Sequence, residues 1–224
     1  MLHKYPGVRG SAPPAPLDAT AASPYSRTMQ PASLTPETIA ALFTGTDGRF
    51  LCARWGRPVA PVIFGLADDT LAIFRAALTA ALRHAGQPLA ETDPESGANW
   101  LCFAVRDWQE LAGLPDLDRM TGLPDLPARL MGQGADSYRL FRFDEAGAIR
   151  ACFTFLNLGG ARAQAHPGPL AEATAMNSLL TWAREVAPSP ALAALIRAAY
   201  DPVLPAAARD ASHGLRLAAR LVPA

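Results

Sequence analysis

One short segment of this chain carries a glutamate at the position where a zinc hydrolase holds its general base. A His-Glu-x-x-His helix binds the metal through two imidazoles one helical turn apart, with the glutamate beside the first of them. In this chain Glu172 follows Ala171, and Ala175 occupies the place of the second imidazole. Glu172 is therefore the candidate catalytic residue. A carboxylate in the first turn of a helix also has a structural role, because the helix dipole stabilises it by about 0.3–1 kcal/mol.

A histidine close to this segment is the next candidate. His166 precedes the predicted helix and could bind a ligand or a displaced metal, but a zinc site requires three protein ligands. The chain has four histidines, and one of them, His3, lies in a segment without apolar periodicity. We therefore predict no metal site and no cofactor, and we retain His166 as a candidate binding residue.

Three cysteines, Cys52, Cys102 and Cys152, each lie in an apolar run typical of a strand. An odd count without a short Cys-x-x-Cys spacing argues against a disulfide framework or a zinc ribbon. Because cysteine behaves as a small hydrophobic residue, we predict three buried free thiols. The alternatives are one disulfide with one free thiol, or a thiol nucleophile, Cys102 or Cys152, with His166 as its base. The sequence contains no Gly-x-Ser-x-Gly elbow, Walker loop or dinucleotide-binding glycine pattern.

The charge balance gives no electrostatic reason to expect a nucleic acid partner. The 224 residues carry 20 basic and 20 acidic side chains, for a formal net charge of zero, and half of all residues are hydrophobic. This composition is sufficient for a sizeable core. Nucleic acid binding usually requires a basic surface, so we predict no such partner.

The sequence gives no sign of a membrane span. No run reaches the roughly 18 apolar residues that a transmembrane helix needs. The first residues also lack an apolar segment of signal-peptide length. We therefore expect a cytoplasmic protein from the sequence as written, and a periplasmic one if the start codon is misassigned.

The elements that must position the candidate residues begin near Thr35. Residues 1–34 are rich in proline, alanine, serine and threonine, which predicts a disordered or loosely packed arm. Residues 35–224 are predicted to form a single domain. Thr35-Pro36-Glu37 is typical of a helix start, because threonine caps, proline fits the first turn and glutamate favours the positive end.

Hydrophobic periodicity and turn residues predict the remaining elements. Strands are expected over 49–55, 59–64, 99–106, 138–143 and 149–156, and helices over 69–85, 169–186, 191–200 and 206–221. Pro61 makes the second strand an edge strand or a bulged strand, and the last two strands form a hairpin. Residues 107–134 contain two copies of Leu-Pro-Asp-Leu, which favour short turn-helix starts. This order predicts an α+β fold, with helices packed on a mostly antiparallel sheet.

Three short motifs lie within the predicted domain. They are Arg54-Trp55-x-Arg57-Pro58-Val59, Ala98-Asn99 and Leu195-Ile196-Arg197-x-x-Tyr200-Asp201-Pro202-x-Leu204. Over about residues 45–210 the chain resembles a bacterial domain family of unknown function whose members are zincin-like and usually exported. The resemblance makes Arg54, Arg57, Tyr200 and Asp201 candidate binding residues. Since Pro202 prevents helix continuation, Tyr200 and Asp201 are also predicted to end a helix.

The resemblance has a further implication for the segment around Glu172. The family carries His-Glu-Glu-Leu on a helix, and in this chain its histidine falls on Ala171 and its first glutamate on Glu172. The chain is then a degenerate member of a zincin-like family that lacks the metal ligands.

These observations predict a non-catalytic, zincin-like domain that acts as a binding or accessory protein for a protein partner. The first alternative is a hydrolase, a peptidase or amidase, with non-standard metal ligands or a cysteine nucleophile. The second alternative is a structural subunit of a larger complex, docked through residues 1–34. The sequence names neither the partner nor an oligomeric state.

Overall fold

The computed structural model describes residues 34–221, apart from the side chain of Ala161. Its helices are α1 (Pro36–Leu42), α2 (Asp68–Ala85), α3 (Leu117–Thr121), α4 (Leu126–Gly132), α5 (Pro167–Asn177), α6 (Pro190–Ala199) and α7 (His213–Ala218). Its strands are β1 (Cys52–Ala53), β2 (Pro61–Phe64), β3 (Trp100–Val105), β4 (Ser137–Phe143), β5 (Ile149–Asn157) and β6 (Ala207–Ala208). Two 3-10 helices cover Trp108–Gly113 and Gly160–Gln164. Within residues 34–221, no helix combines the length and the apolar character needed to cross a bilayer.

The predicted arm over residues 1–34 lies outside the described residues except for Leu34. This side chain is half-buried and packs against the hydrophobic core. The helix start that follows is confirmed, because the Thr35 hydroxyl oxygen accepts a hydrogen bond from the Thr38 N–H at 3.3 Å. A similar cap starts α6, where the Ser189 hydroxyl oxygen accepts a hydrogen bond from the Leu192 N–H at 3.3 Å.

The central sheet has four strands in the order β2-β3-β5-β4, and it is mixed. β2 pairs with β3 and β3 with β5 in parallel, whereas β4 and β5 form the predicted antiparallel hairpin. The α+β class is therefore confirmed, but the prediction of a mostly antiparallel sheet is wrong. The crossover through α2 accounts for the parallel pair of β2 with β3, because a helix between two strands returns the chain to the end of the sheet where the first strand began.

The places of the strands in the sheet agree with the sequence prediction better than the lengths of the strands do. β2, which contains Pro61, lies at the edge of the sheet, and the apolar β3 lies inside it. The predicted strand over 49–55 is reduced to β1, which pairs with β6 instead of the central sheet. Because this pairing holds β6 extended, the predicted helix over 206–221 is reduced to α7.

Helix α5 ends at Asn177, nine residues before its predicted end at Val186. The Asn177 side chain explains the early end. Its amide nitrogen donates to the carbonyl oxygens of Ala173 and Val186, both at 2.8 Å, and its oxygen accepts from the Val186 N–H at 2.9 Å. These hydrogen bonds hold the backbone of Val186 against the last turn of α5, so the helix does not continue.

The two faces of the central sheet are covered by different parts of the chain. Side chains alternate along a strand, so Trp100 and Cys102 of β3 point into the larger core and Phe103 points into the smaller one. Helices α2, α5 and α6 contribute to the larger core. The smaller core lies under residues 107–136, which we name the acidic lobe because they carry six acidic and two basic side chains.

Four aromatic rings cross the sheet on the side of the smaller core, one from each strand. The ring centroids of Phe64 and Phe103 are 5.0 Å apart, and those of Phe103 and Phe155 are 5.2 Å apart. Tyr138 follows at 6.3 Å from Phe155. Neighbouring rings lie directly opposite each other in the strand register. Since such pairs contribute about 0.5–1.5 kcal/mol beyond their burial, this ladder favours the observed register over a shifted one.

Candidate functional site

The first and third motifs of the sequence meet at the C-terminal end of α5. The Trp55 indole N–H donates to the Ser178 carbonyl oxygen at 2.9 Å, and the Tyr200 hydroxyl donates to the Leu179 carbonyl oxygen at 2.8 Å. The backbone N–H of Trp55 in turn donates to the Tyr200 hydroxyl oxygen at 3.5 Å. Burial raises the pKa of Tyr200 above its ordinary value, so its hydroxyl stays protonated as a donor.

Arg54 and Asp201 lie beside this contact. The guanidinium carbon of Arg54 is 5.7 Å from the centroid of the Tyr200 ring, within the range of a cation–π interaction. Asp201 accepts from the Val203 N–H at 2.8 Å and pairs with Arg220 at 2.6 Å. The backbone hydrogen bond from Val203, together with the Arg220 guanidinium, lowers the pKa of Asp201 below its usual value.

Arg57 belongs to a second cluster, which the Asn99 motif completes. Its guanidinium lies 2.9 Å from Glu95 and 3.5 Å from Asp93, and Arg150 pairs with Glu95 at 2.8 Å. The pair with Glu95 is largely exposed, so it contributes little to stability. The Asp93 side chain is 2% exposed and forms the buried end of the cluster.

Asn99 connects Asp93 to the start of β2. Its amide nitrogen donates to Asp93 at 3.1 Å and to the Pro58 carbonyl oxygen at 2.8 Å, and its oxygen accepts from the Ala60 N–H at 2.8 Å. Burial alone would raise the pKa of Asp93, but donors from Ser96, Glu95 and Asn99 outweigh burial and lower this pKa to about 2. Asp93 is therefore an ionised carboxylate at neutral pH, and hydrogen bonds stabilise its negative charge.

The structure thus brings Arg54, Tyr200 and Asp201 together and places Arg57 in a separate cluster. Each of these four candidate binding residues contacts other parts of this chain. The contacts join segments up to 150 residues apart in the sequence, as between Arg54 and Leu204. They therefore have an evident role in holding the fold.

The zinc-motif positions on α5 face two directions. Ala171 and Ala175 are 1% and 2% exposed and belong to the larger core, whereas Glu172 is exposed to solvent. His166 is exposed at the N-cap of α5, where its Nδ1 accepts from the Gly168 N–H at 3.1 Å. Across residues 34–221, no group of three or more His, Cys, Asp or Glu side chains is arranged to hold a metal ion. In this part of the chain, no hydrogen bond or ion pair joins Glu172 to another candidate residue.

All three cysteines are free and buried, as the sequence predicts. Burial raises the pKa of Cys52 and of Cys152 to about 12, and it raises the pKa of Cys102 as well. A thiol nucleophile must be deprotonated, and these surroundings favour the neutral thiol at physiological pH. The observed positions are those of core residues.

The acidic lobe contains an open groove that the sequence analysis did not predict. The groove has a volume of about 700 Å³ and lies between the 3-10 helix Trp108–Gly113, α3 and α4. Apolar side chains line part of it, among them Leu114 and Met131, and Met131 is 42% exposed. Asp116, Asp118 and Asp125 also line it, and all three are exposed.

Both copies of Leu-Pro-Asp-Leu shape this groove. Asp116 and Asp125 are the N-cap residues of α3 and α4, which confirms the predicted turn-helix starts. Their φ angles are 60° and 54°, in the left-handed region, where aspartate is tolerated better than most residues. Neither carboxylate caps its own helix through a hydrogen bond. Asp116 pairs instead with Arg119 at 2.8 Å, an exposed contact.

Comparison of the chain with known protein families, with curated proteins and with solved structures finds no match. The zincin-like resemblance therefore stays a prediction. The groove could have been suspected from the sequence only through the repeated Leu-Pro-Asp-Leu and the excess of acidic residues over 107–136.

Proposed function

We propose that this chain is a binding protein that recognises a positively charged, extended peptide segment of a protein partner in the groove of the acidic lobe. The observation that carries the proposal is the composition of the groove, an apolar floor beside three exposed carboxylates. Ligand sites are commonly concave, mostly apolar and provided with a few polar groups that fix orientation.

The charge distribution supports a cationic ligand. The whole chain is neutral, but the acidic lobe holds six acidic residues against two basic ones. One basic residue, Arg119, is paired with Asp116, so Asp118 and Asp125 are the groove carboxylates without an ion pair among the described residues. A local field of this sign attracts basic segments and accelerates their encounter with the groove.

The backbone of the groove supports recognition as well. Two non-glycine residues in the left-handed region, both lining one groove, hold backbone strain of the kind that is concentrated at functional sites. An extended ligand suits a groove formed by three short helices, and proline-containing segments are extended before they bind.

The test is a binding titration with a labelled nonapeptide, Arg-Pro-Leu repeated three times, followed by fluorescence anisotropy on the full chain. The triple variant Asp116→Asn, Asp118→Asn and Asp125→Asn removes the charges, and asparagine tolerates the left-handed backbone that two of the positions require. We expect at least about tenfold weaker binding by the variant, and a smaller dependence on salt.

The matched control neutralises three exposed carboxylates elsewhere, with Asp69→Asn, Glu91→Gln and Glu145→Gln. We expect it to bind the nonapeptide like the unaltered chain. A second peptide, Arg-Pro-Gly repeated three times, keeps the charge and lacks the apolar side chains, so it should bind more weakly. Equal binding of the nonapeptide by both triple variants would refute the proposed site.

A further inference from the structure

Residues 1–33 of this chain have the chemistry that the groove requires. They carry three basic residues, Lys4, Arg9 and Arg27, and a single acidic one, Asp18. They also contain six prolines and two tyrosines. The segment is therefore cationic and proline-rich, while the acidic lobe of the same chain has the opposite charge.

Chain length allows this segment to reach any surface of the described fold. Lys4 is separated by 30 residues from Leu34, where the described chain begins. That length extends at most about 100 Å. A tethered segment of this kind is present at its own chain's groove at an effective concentration on the order of millimolar.

We propose that residues 1–33 occupy the groove of the acidic lobe in the same chain, as an intramolecular competitor of the basic partner segment. This inference rests on the proposed function, because it uses the same groove and the same ligand chemistry. Three arguments carry it: the opposite charges of the two segments, the apolar floor beside Asp118 and Asp125, and the reach of the tether. An occupant with millimolar effective concentration and modest intrinsic affinity weakens a competing ligand by about tenfold.

The sequence provides a direct probe, because Lys4 is the single lysine of the chain. A carbodiimide couples an amine to a carboxylate that touches it, without a spacer, and mass spectrometry of the digested full chain then identifies the carboxylate. We expect Lys4 or the α-amino group to be joined mainly to Asp116, Asp118 or Asp125. The variant Lys4→Arg keeps the charge and should lose the side-chain crosslink.

Mixing of isotopically labelled and unlabelled chains separates contacts within one chain from contacts between two chains. Crosslinks within single chains that concentrate on the three groove aspartates support the proposal. Crosslinks spread over exposed carboxylates throughout the fold overturn it. Crosslinks found only between labelled and unlabelled chains also overturn it, since the occupant is then the arm of a second copy.

A second measurement distinguishes failure of this inference from failure of the proposed function. The arm variant Lys4→Gln, Arg9→Gln and Arg27→Gln is titrated with the Arg-Pro-Leu nonapeptide beside the unaltered chain. Intramolecular occupancy predicts about tenfold tighter binding by the arm variant. Equal and groove-dependent binding by both chains overturns the intramolecular occupant and leaves the proposed function standing. Binding by neither chain refutes the proposed function. The Lys4 crosslink then decides by itself whether residues 1–33 occupy the groove.

Discussion

The two faces of the central sheet are stabilised in different ways. On the side of the larger core, α2 and α5 pack closely, and buried polar contacts such as that of the Trp55 indole with Ser178 join distant segments. On the other side, the acidic lobe consists of helices of five to seven residues, which are too short to be stable without packing. Its apolar side chains hold it to the sheet, while its outer surface keeps charge, backbone strain and an open groove.

This difference separates the residues that hold the fold from those that we propose to bind a ligand. The motif residues Arg54, Arg57 and Tyr200 contact other segments of the chain, and changes at these positions act first on stability. The groove aspartates are exposed, so changes there act first on binding. Measurements of stability and of peptide affinity on the same variants therefore test the comparison.

The largest effect is expected at the buried polar network around Asn99, outside the acidic lobe. Asn99→Ala removes the partner of the Ala60 N–H, of the Pro58 carbonyl and of the Asp93 carboxylate in a site that is fully buried. Leaving buried polar groups without partners should lower the free energy of unfolding by about 3–5 kcal/mol. Denaturant titration measures this loss. A loss below about 1 kcal/mol would show that this buried network contributes little to the stability of the fold.

The second-largest loss of stability is expected for a substitution at Ala171, the first position of the zinc motif. Ala171→His inserts an imidazole into a packed core at a site that is 1% exposed, and we expect a loss of about 3 kcal/mol. Ala173→His is the matched control on the same helix, because Ala173 is only half-buried. The comparison uses thermal unfolding of both variants. Similar midpoints for the two variants would contradict close packing of α5 at position 171.

Acid should weaken the same buried network through Asp93. The folded pKa is about 2 and the ordinary value is 3.8, so the unfolded state takes up the proton first as the pH falls. The stabilisation is complete above about pH 4 and is lost as the pH falls toward 2, which amounts to about 2 kcal/mol. Unfolding free energies of the unaltered chain and of Asp93→Asn, measured across this window, isolate the contribution. Parallel pH profiles for the two chains would contradict it.

The smallest effect on stability is expected in the acidic lobe, and it depends on the substituted residue. Asp125→Ala places alanine at φ 54°, and alanine lacks the short polar side chain that helps aspartate and asparagine adopt the left-handed region. This substitution should lower the free energy of unfolding by about 1 kcal/mol. Asp125→Asn tolerates this conformation and should change stability by less than about 0.5 kcal/mol. Both variants should weaken binding of the Arg-Pro-Leu nonapeptide equally. A binding loss in Asp125→Ala alone would mean that backbone geometry, and not charge, controls the groove.

Local patterns in the sequence predict many elements of this fold because those elements depend on neighbouring residues. Thr35 and Ser189 cap helices, Pro61 lies in an edge strand, and the hairpin of β4 and β5 forms where alternation and turn residues place it. The predictions are wrong for elements that depend on contacts beyond neighbouring residues. β6 is extended because it pairs with β1, and α5 ends early because Asn177 binds the backbone of Val186.

The candidate site also has features that the sequence predicts and features that depend on tertiary contacts. The sequence identified Arg54, Arg57, Tyr200 and Asp201 as a group by resemblance, and only their contacts reveal that two separate clusters hold the fold. It identified the repeated Leu-Pro-Asp-Leu as helix starts, which is correct. The groove between those helices was not predictable, because its walls come from three elements whose relative positions depend on packing against the sheet.

By itself, the sequence determined the α+β class, the three buried thiols, the helix caps and the absence of histidines from positions 171 and 175. These properties depend on residue type, local backbone preference and the tendency of apolar side chains to be buried. Only the tertiary structure decided that β2, β3 and β5 are parallel, that Glu172 faces solvent while Ala171 faces the core, and that three aspartates share one groove. These properties depend on how elements pack across long sequence separations, which no local pattern encodes.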